Sequence, residues 1–531
     1  MTYPKLVKRR LARLASLVLA GLAIFGGEKI SEYSSPPSAD KNCDFIFPEP
    51  TEGDKTTNLR IVPPSRPFSI DSLGGQINDA SCLNKTPIYG IVRVHTVQDL
   101  RDSLEFARAN HLHVSIAGQR HSMGGQSFSK GGLILDMRGF NQISIDRERA
   151  IAHVQTGATW AQVQQLADHE GLSVQAMQSI NVFSIGGSLS VNGHGIAHRP
   201  GPLASTVLAI RIMLANGEIK EASPTENSEL FHLALGGYGL FGIILDADLQ
   251  LVKNEVYAID NHTLDYRDFT NYYMQNISGN DEVGLAYARL SISPTSYLRE
   301  TAVHVYRKVN FPGPIPVLQA PTHDRLDRFI INFSKTGGFG RWLRWTLEKH
   351  YGPKLHDCLS RNQAINQKEP CLVSRNEEMY DSMSYLRNRL KDTDILQEYF
   401  IPPDKMPQFV DGLRQTVQTN GANLLNVTLR IVHKDEVTAL PYAKQDMFAF
   451  VLYFNQKLNE EQSLKVEKTT RELIDLAIGL HGTYYLPYQL YYSQEQLQGA
   501  YPEIKTFFAA KKRYDPDELF SSKFYEKYGK S

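Results

Sequence analysis

Ala117-Gly118-Gln119-Arg120-His121-Ser122-Met123-Gly124-Gly125-Gln126 follows directly on residues 114–117, a short run that reads as a β-strand. Glycines at this place let the backbone come close to a ligand, and successive N–H groups can form an anion-binding nest. Ser122 and Gln126 add hydrogen-bonding groups and Arg120 adds charge. A lone histidine in a loop is most often an ordinary polar residue. His121 is nonetheless a competent nucleophile as the neutral imidazole. No metal-ligand pattern surrounds it, because His194 and His198 come far later in the chain and no CxxC occurs.

Two further glycine-rich segments lie downstream. One is Ile185-Gly186-Gly187-Ser188-Leu189-Ser190-Val191-Asn192-Gly193-His194-Gly195, read as a loop. The other, Gly236-Gly237-Tyr238-Gly239-Leu240-Phe241-Gly242, contains a literal GxGxxG. The dinucleotide fingerprint must follow a strand and open a helix. Residues 229–235 read as helix and 243–252 as strand, the reverse order, which argues against a Rossmann NAD site.

Outward from these segments the chain alternates between helix and strand signals. Thr96-Val97-Gln98-Asp99 and Thr159-Trp160-Ala161-Gln162 are capping boxes, and the helix after the second stops at Gly171. Strands are expected at 91–94, 133–137 and 151–156, and Asn216-Gly217 signals a hairpin between 208–214 and 218–222. Hairpins mixed with crossovers indicate an α+β domain over about residues 67–255, not a doubly wound parallel sheet. Residues 256–480 read as a second α+β domain. Its strand 425–431 puts Asn426, Thr428 and Arg430 on one face, a substrate wall or simply solvated surface. A strand over 447–454 and a helix over about 462–479 follow.

Length and composition bound the function. Dividing 531 residues by about 150 suggests roughly three domains. Lys+Arg and Asp+Glu are both 57, so no net field attracts nucleic acid and no nucleic-acid partner is expected. Lys5, Lys8, Arg9, Arg10 and Arg13 precede the uncharged run 14–27, as in a signal peptide or signal anchor over residues 1–30. Fourteen residues fall short of the about twenty of a full span. No small-x-small cleavage site follows, which favours an uncleaved anchor over a secreted form, with the body on the non-cytoplasmic side. Residues 31–66 read as an extended linker. Cys43, Cys82, Cys358 and Cys371 fit two disulfides with three possible connectivities, or four unpaired thiols.

On its three glycine-rich segments the sequence resembles the FAD-binding domain of the vanillyl-alcohol oxidase family, over about residues 85–255. Residues 117–126 look like that family's GRGHSxxGQ segment, with Gln119-Arg120 where the pattern has Arg-Gly. The resemblance implies a two-subdomain, PCMH-type FAD-binding domain with Gly118, Gln119, Arg120, His121, Ser122 and Gln126 at the cofactor, and His121 bonded covalently to the flavin. It likewise implies FAD contacts from Gly186, Gly187, Ser190, His194 and Gly195, and a backbone segment at Gly242-Ile243 holding the adenine. The stretch 481–522, with His481-Gly482-Thr483-Tyr484-Tyr485 and Lys511-Lys512-Arg513-Tyr514-Asp515-Pro516, resembles the closing segment of decaprenylphosphoryl-ribose oxidase and sugar-lactone oxidases. That likeness makes 481–531 a segment returning to the FAD domain, 256–480 a substrate (cap) domain, and Lys457 the match of a substrate-side lysine.

The chemistry implied is oxidation of a small hydroxylated substrate (polyol, sugar or aldonolactone) by hydride transfer to FAD. Lys457 or Tyr485 would orient the substrate hydroxyl and Arg430 would bind a carboxylate, phosphate or lactone oxygen. The electron acceptor is oxygen, a quinone or another protein. The alternatives are an envelope lipid-linked sugar oxidase in an epimerisation pathway, and a non-catalytic membrane-tethered flavin-binding protein.

Overall fold

The computed structural model describes residues 33–34, 68–318, 324–355, 371–380 and 392–530. The expected anchor and nearly all of the linker lie outside the described residues, as do Cys43 and Cys358. Among the described residues no helix is long and apolar enough to cross a membrane. Cys82 and Cys371 are both disulfide-bonded, so the reading of four unpaired thiols is overturned.

Three of the four sheets among the described residues organise the fold, the fourth being the two-stranded pair Gln76–Ile77 and Thr86–Pro87. The first has the order Ser72–Leu73, Gly90–Arg93, Leu133–Asp136, Val114–Ala117, and its last three strands are parallel. The helix Val97–Ala109 makes the crossover. Its capping box is formed as the sequence predicts, Thr96 accepting from Asp99 N and Asp99 accepting from the Thr96 N–H. Leu100, Leu104 and Ala107 pack beneath this sheet with Met213, Ile243 and Leu245 of the second, one apolar cluster joining the two.

The second sheet is antiparallel, in the order Ile219–Ala222, Val207–Met213, Ile243–Lys253, Ile151–Gln155, Ile143–Asp146. Its hairpin pairs Met213 with Ile219 around Gly217 at φ 85°, a longer turn than Asn216-Gly217 alone would make. The capping box at Thr159 opens Trp160–His169. Mixed parallel and antiparallel sheets bear out the α+β reading.

The third sheet has eight antiparallel strands, with Asn423–Val432, Met447–Lys457 and Asp392–Ile401 adjacent in that order. One face is sealed by Met406–Asn420 and Glu460–Gly479, where Phe409 meets Phe450 at 4.7 Å and Val466, Leu473 and Ile474 are buried. The opposite face, carrying Glu398, Arg430 and Val451, turns towards the glycine-rich segments. The chain end then comes back to the first sheet, where Val114 N donates to Leu519 O and Ser521 N to Val114 O.

One local expectation changes. Residues 185–190 form a short helix, Ile185–Ser190, and not a loop. Two of the N–H groups at its start go to strand-end carbonyls, Ile185 N to Ala158 O and Gly186 N to Thr156 O. Glycine's low helix propensity is thus overridden by contacts from distant chain.

Candidate active site

The three glycine-rich segments and the polar face of the third sheet enclose one cleft of about 1360 Å³, counting its mouth. Gly118, Gln119, Arg120, His121, Ser122 and Gln126 line it from the first segment, and Gly186, Gly187, Ser190 and His194 from the second. Arg430 and Tyr485 complete the wall opposite. His121 stands against Phe183, ring centroids 4.7 Å apart. Arg120 occupies the position where the family pattern has glycine, and its φ is 55°. The left-handed turn that glycine would supply is therefore kept, at a backbone cost of about 1–2 kcal/mol.

Three expected residues lie elsewhere. Gly195 does not line the cleft; a Cβ there would sit 2.0 Å from Met177 O, so close backbone packing explains the glycine. Ile243 is fully buried in the core shared by the first two sheets, while its neighbours Gly242 and Ile244 face the cleft. Lys457 is exposed at the end of its strand. It shares a face with the cleft-lining Val451, but six residues at about 3.3 Å each carry it about 20 Å away. A further role changes too. The Gln126 amide is spent within the protein, accepting from Gly124 N and donating to Leu486 O (2.8 Å) and Tyr488 O (3.1 Å). It ties the first segment to the chain end.

The wall contains a residue that sequence reading missed, Glu398, set against the expected His194. Glu398 and His194 are buried, with Oε1 and Nε2 2.6 Å apart. That approach is close but misaligned: among the described residues neither atom makes a directed hydrogen bond, and neither does His194 Nδ1. Arg430 Nη1 donates to His194 O at 3.3 Å, and Arg430 Nε has no hydrogen-bond partner among the described residues. Tyr488 donates to Glu398 Oε2 at 3.3 Å. Burial, with the neighbouring Glu398 carboxylate adding, pushes the Tyr488 phenol far above its ordinary value despite Arg430. The Tyr485 hydroxyl is committed to Val191 O at 2.8 Å and is likewise held protonated by burial, so its ring forms wall and its oxygen is not free for substrate. Glu398 was visible in principle as a lone charge inside Ile395-Leu396-Gln397-Glu398-Tyr399-Phe400-Ile401. At the other end, Thr156 lines the cleft and anchors to Ile244 O at 2.7 Å.

These features fit FAD. Gly187 faces the cleft, and a Cβ on it would meet only Ser184 Oγ, at 3.1 Å, so little protein fills the space its missing side chain leaves. Ser127 Oγ and Ser179 Oγ also line the cleft, buried and without a hydrogen-bond partner among the described residues. Buried polar atoms of this kind need a partner, which a bound ligand supplies.

Comparison with known proteins agrees. Residues 88–223 match the family model described as "FAD binding domain", so the chain carries a domain of that kind. The chain is 31% identical over 173 residues to an uncharacterized oxidoreductase in the fasciation locus of Rhodococcoides fascians, 32% of this chain and 39% of that one. With cytokinin dehydrogenase 4 of Arabidopsis thaliana it shares 24% over 450 residues, 78% of this chain and 80% of the relative. With decaprenylphosphoryl-beta-D-ribose oxidase of Mycolicibacterium smegmatis it shares 32% over 141 residues, 26% of this chain and 31% of the relative. Two of these three alignments thus span well under half of the relative's own length.

Proposed function

We propose that this protein is a FAD-linked oxidase or dehydrogenase acting on a CH–OH group of a small polyol, sugar or aldonolactone. The observation that carries it is the convergence of the glycine-lined cleft with Glu398, His194, Arg430 and Tyr488 at one end. Bound FAD supplies the hydride acceptor. Glu398 Oε1, the carboxylate oxygen without a directed partner, takes the proton of the substrate hydroxyl as the C–H bond is broken. Tyr488 holds Glu398 Oε2 and fixes the carboxylate. Arg430 presents its guanidinium to the oxygen that becomes the carbonyl or to a neighbouring acid or lactone oxygen. Leu396 and Val451 add apolar lining beside Glu398.

Covalent attachment through His121 belongs to the same proposal, supported by its place in the cleft and the kept left-handed turn before it. The likeness to a decaprenylphosphoryl-ribose oxidase supports a second reading, a lipid-linked sugar as substrate. A membrane-anchored body on the non-cytoplasmic side, with a quinone, oxygen or protein as acceptor, would suit either.

The test is anaerobic bleaching of the flavin by a panel of polyols, sugars, aldonolactones and lipid-linked pentoses. Bleaching by the first three classes supports the main reading, and bleaching by the lipid-linked compounds alone moves it to the second. A loaded protein that no hydroxylated compound bleaches is a flavin-binding protein without this activity. Yellow colour that stays in an acid-precipitated pellet and disappears in His121→Ala reports the covalent bond.

A further inference from the structure

A buried polar cluster that lines no part of the cleft sits behind the loop carrying His121. Asp79 is fully buried and accepts from Ser81 N (3.0 Å), Asn84 Nδ2 (2.9 Å), Gly125 N (2.9 Å) and the Ser81 hydroxyl. It makes no direct ion pair among the described residues. Asn84 lies between it and a cation: Nδ2 donates to Asp79 and also to Met123 O at 2.8 Å, while Oδ1 accepts from Lys523 Nζ at 3.4 Å. The amide dipole is thus aligned, oxygen to ammonium and nitrogen to carboxylate.

Lys523 comes from the far end of the chain. It opens the helix Lys523–Tyr528 behind its N-cap Ser522, and its N–H donates to Phe128 O at 3.0 Å. Its aliphatic stem runs over Gly125, where an added Cβ would lie 2.4 Å from Lys523 Cδ. The loop is therefore held at two main-chain atoms, Met123 O by Asn84 and Gly125 N by Asp79, and Lys523 is joined to both through the Asn84 amide. A buried carboxylate with no compensating cation is costly. Without Lys523 the Asn84 Oδ1 loses its cationic donor, and the amide no longer joins a positive to a negative charge.

We propose that Lys523 is a positioning residue for the flavin loop, acting through Asn84 and Asp79 to hold His121 where it attaches to FAD. This rests on the proposed covalent bond to His121. The Lys523 side chain meets residues 84 and 125, neither of which lines the cleft, so its loss should slow attachment without emptying the cleft.

The experiment uses the full chain, with Lys523→Met, Lys523→Arg and Asn84→Ser beside wild type. Total flavin per folded chain is measured after gel filtration, and attached flavin after acid precipitation. At equal total loading, Lys523→Met should retain less than a tenth of the wild-type acid-stable flavin, and Lys523→Arg should restore most of it. General loosening of the fold would not separate loading from attachment in this way. Should Lys523→Met fail to fold, Asn84→Ser cuts the relay while leaving both charges, and the same loss is expected. Wild-type attachment in Lys523→Met, or in Asn84→Ser where the first does not fold, overturns the proposal. If the wild-type pellet is itself colourless, the covalent reading has failed. The inference is then read from FAD release: at least tenfold faster release in Lys523→Met supports it, and equal release overturns it.

Discussion

Gly187→Ala separates a glycine needed by the protein from one needed by its ligand. Gly118 is unsuited to the purpose, because a Cβ there would lie 2.0 Å from Ser184 Oγ and the protein itself would have to shift. Gly186 has the same defect, with Thr156 Cβ at 2.8 Å. At Gly187 the one near atom is Ser184 Oγ at 3.1 Å, the end of a small side chain that can rotate away. The residue lies in the helix Ile185–Ser190, where alanine is favoured over glycine by about 0.5–1 kcal/mol. The apo protein should therefore be no less stable than wild type. The new methyl, however, enters the space the cofactor would fill, and overpacking of that kind costs about 1–3 kcal/mol. FAD affinity should fall by about tenfold to a hundredfold. The assay is FAD titration by fluorescence quenching in a His121→Ala background, where no bond holds the flavin, together with the apo melting temperature. An unchanged affinity would refute the placement of FAD against this helix; a collapsed apo protein would refute the claim that the protein leaves this space empty.

The remaining predictions concern the wall, its edge and the distant core. Glu398→Gln should keep its flavin but slow reductive bleaching by about 10²–10⁴-fold, the range for loss of a general base; wild-type bleaching would remove Glu398 from the chemistry. Lys457→Ala should bleach at the wild-type rate, since the residue is exposed about 20 Å along its strand from the cleft, and a slowed rate would restore it as a substrate residue. Glu378 is pushed up to about 7 by burial, against the opposing effects of the Tyr306 hydroxyl and Arg289. A carboxyl raised in the fold contributes fully below its unfolded value near 4.5, and that contribution is gone above about 7. Glu378→Gln should therefore remove about 3 kcal/mol of stability lost between pH 4.5 and 7. Denaturant midpoints at pH 5 and pH 8 measure it, and parallel pH dependence in both proteins would count against the assignment.

Local chemistry was legible wherever the determinant lies within a few residues. Thr96 and Asp99 cap their helix as written because both groups sit on one turn, and the alternation over 425–431 puts Arg430 on the polar face because strand side chains alternate. The segments around His121, Gly187 and Gly239 announce a ligand because glycine removes a Cβ from their backbone. What the sequence cannot state is which side chains meet. Glu398 and His194 touch across more than two hundred residues, and Gln126 and Lys523 act on partners brought together by the return of the chain end. Resemblance alone put Lys457 at the substrate, yet only the packing of the strands decided how far along the sheet face the cleft extends. Gly195 and Gly187 look alike in sequence; backbone packing against Met177 O explains the first, while the second faces the cleft. The family resemblance legible in the sequence therefore determined the cofactor class. The tertiary structure decided which residues meet across the cleft, because contacts between segments far apart in the chain are encoded by no local pattern.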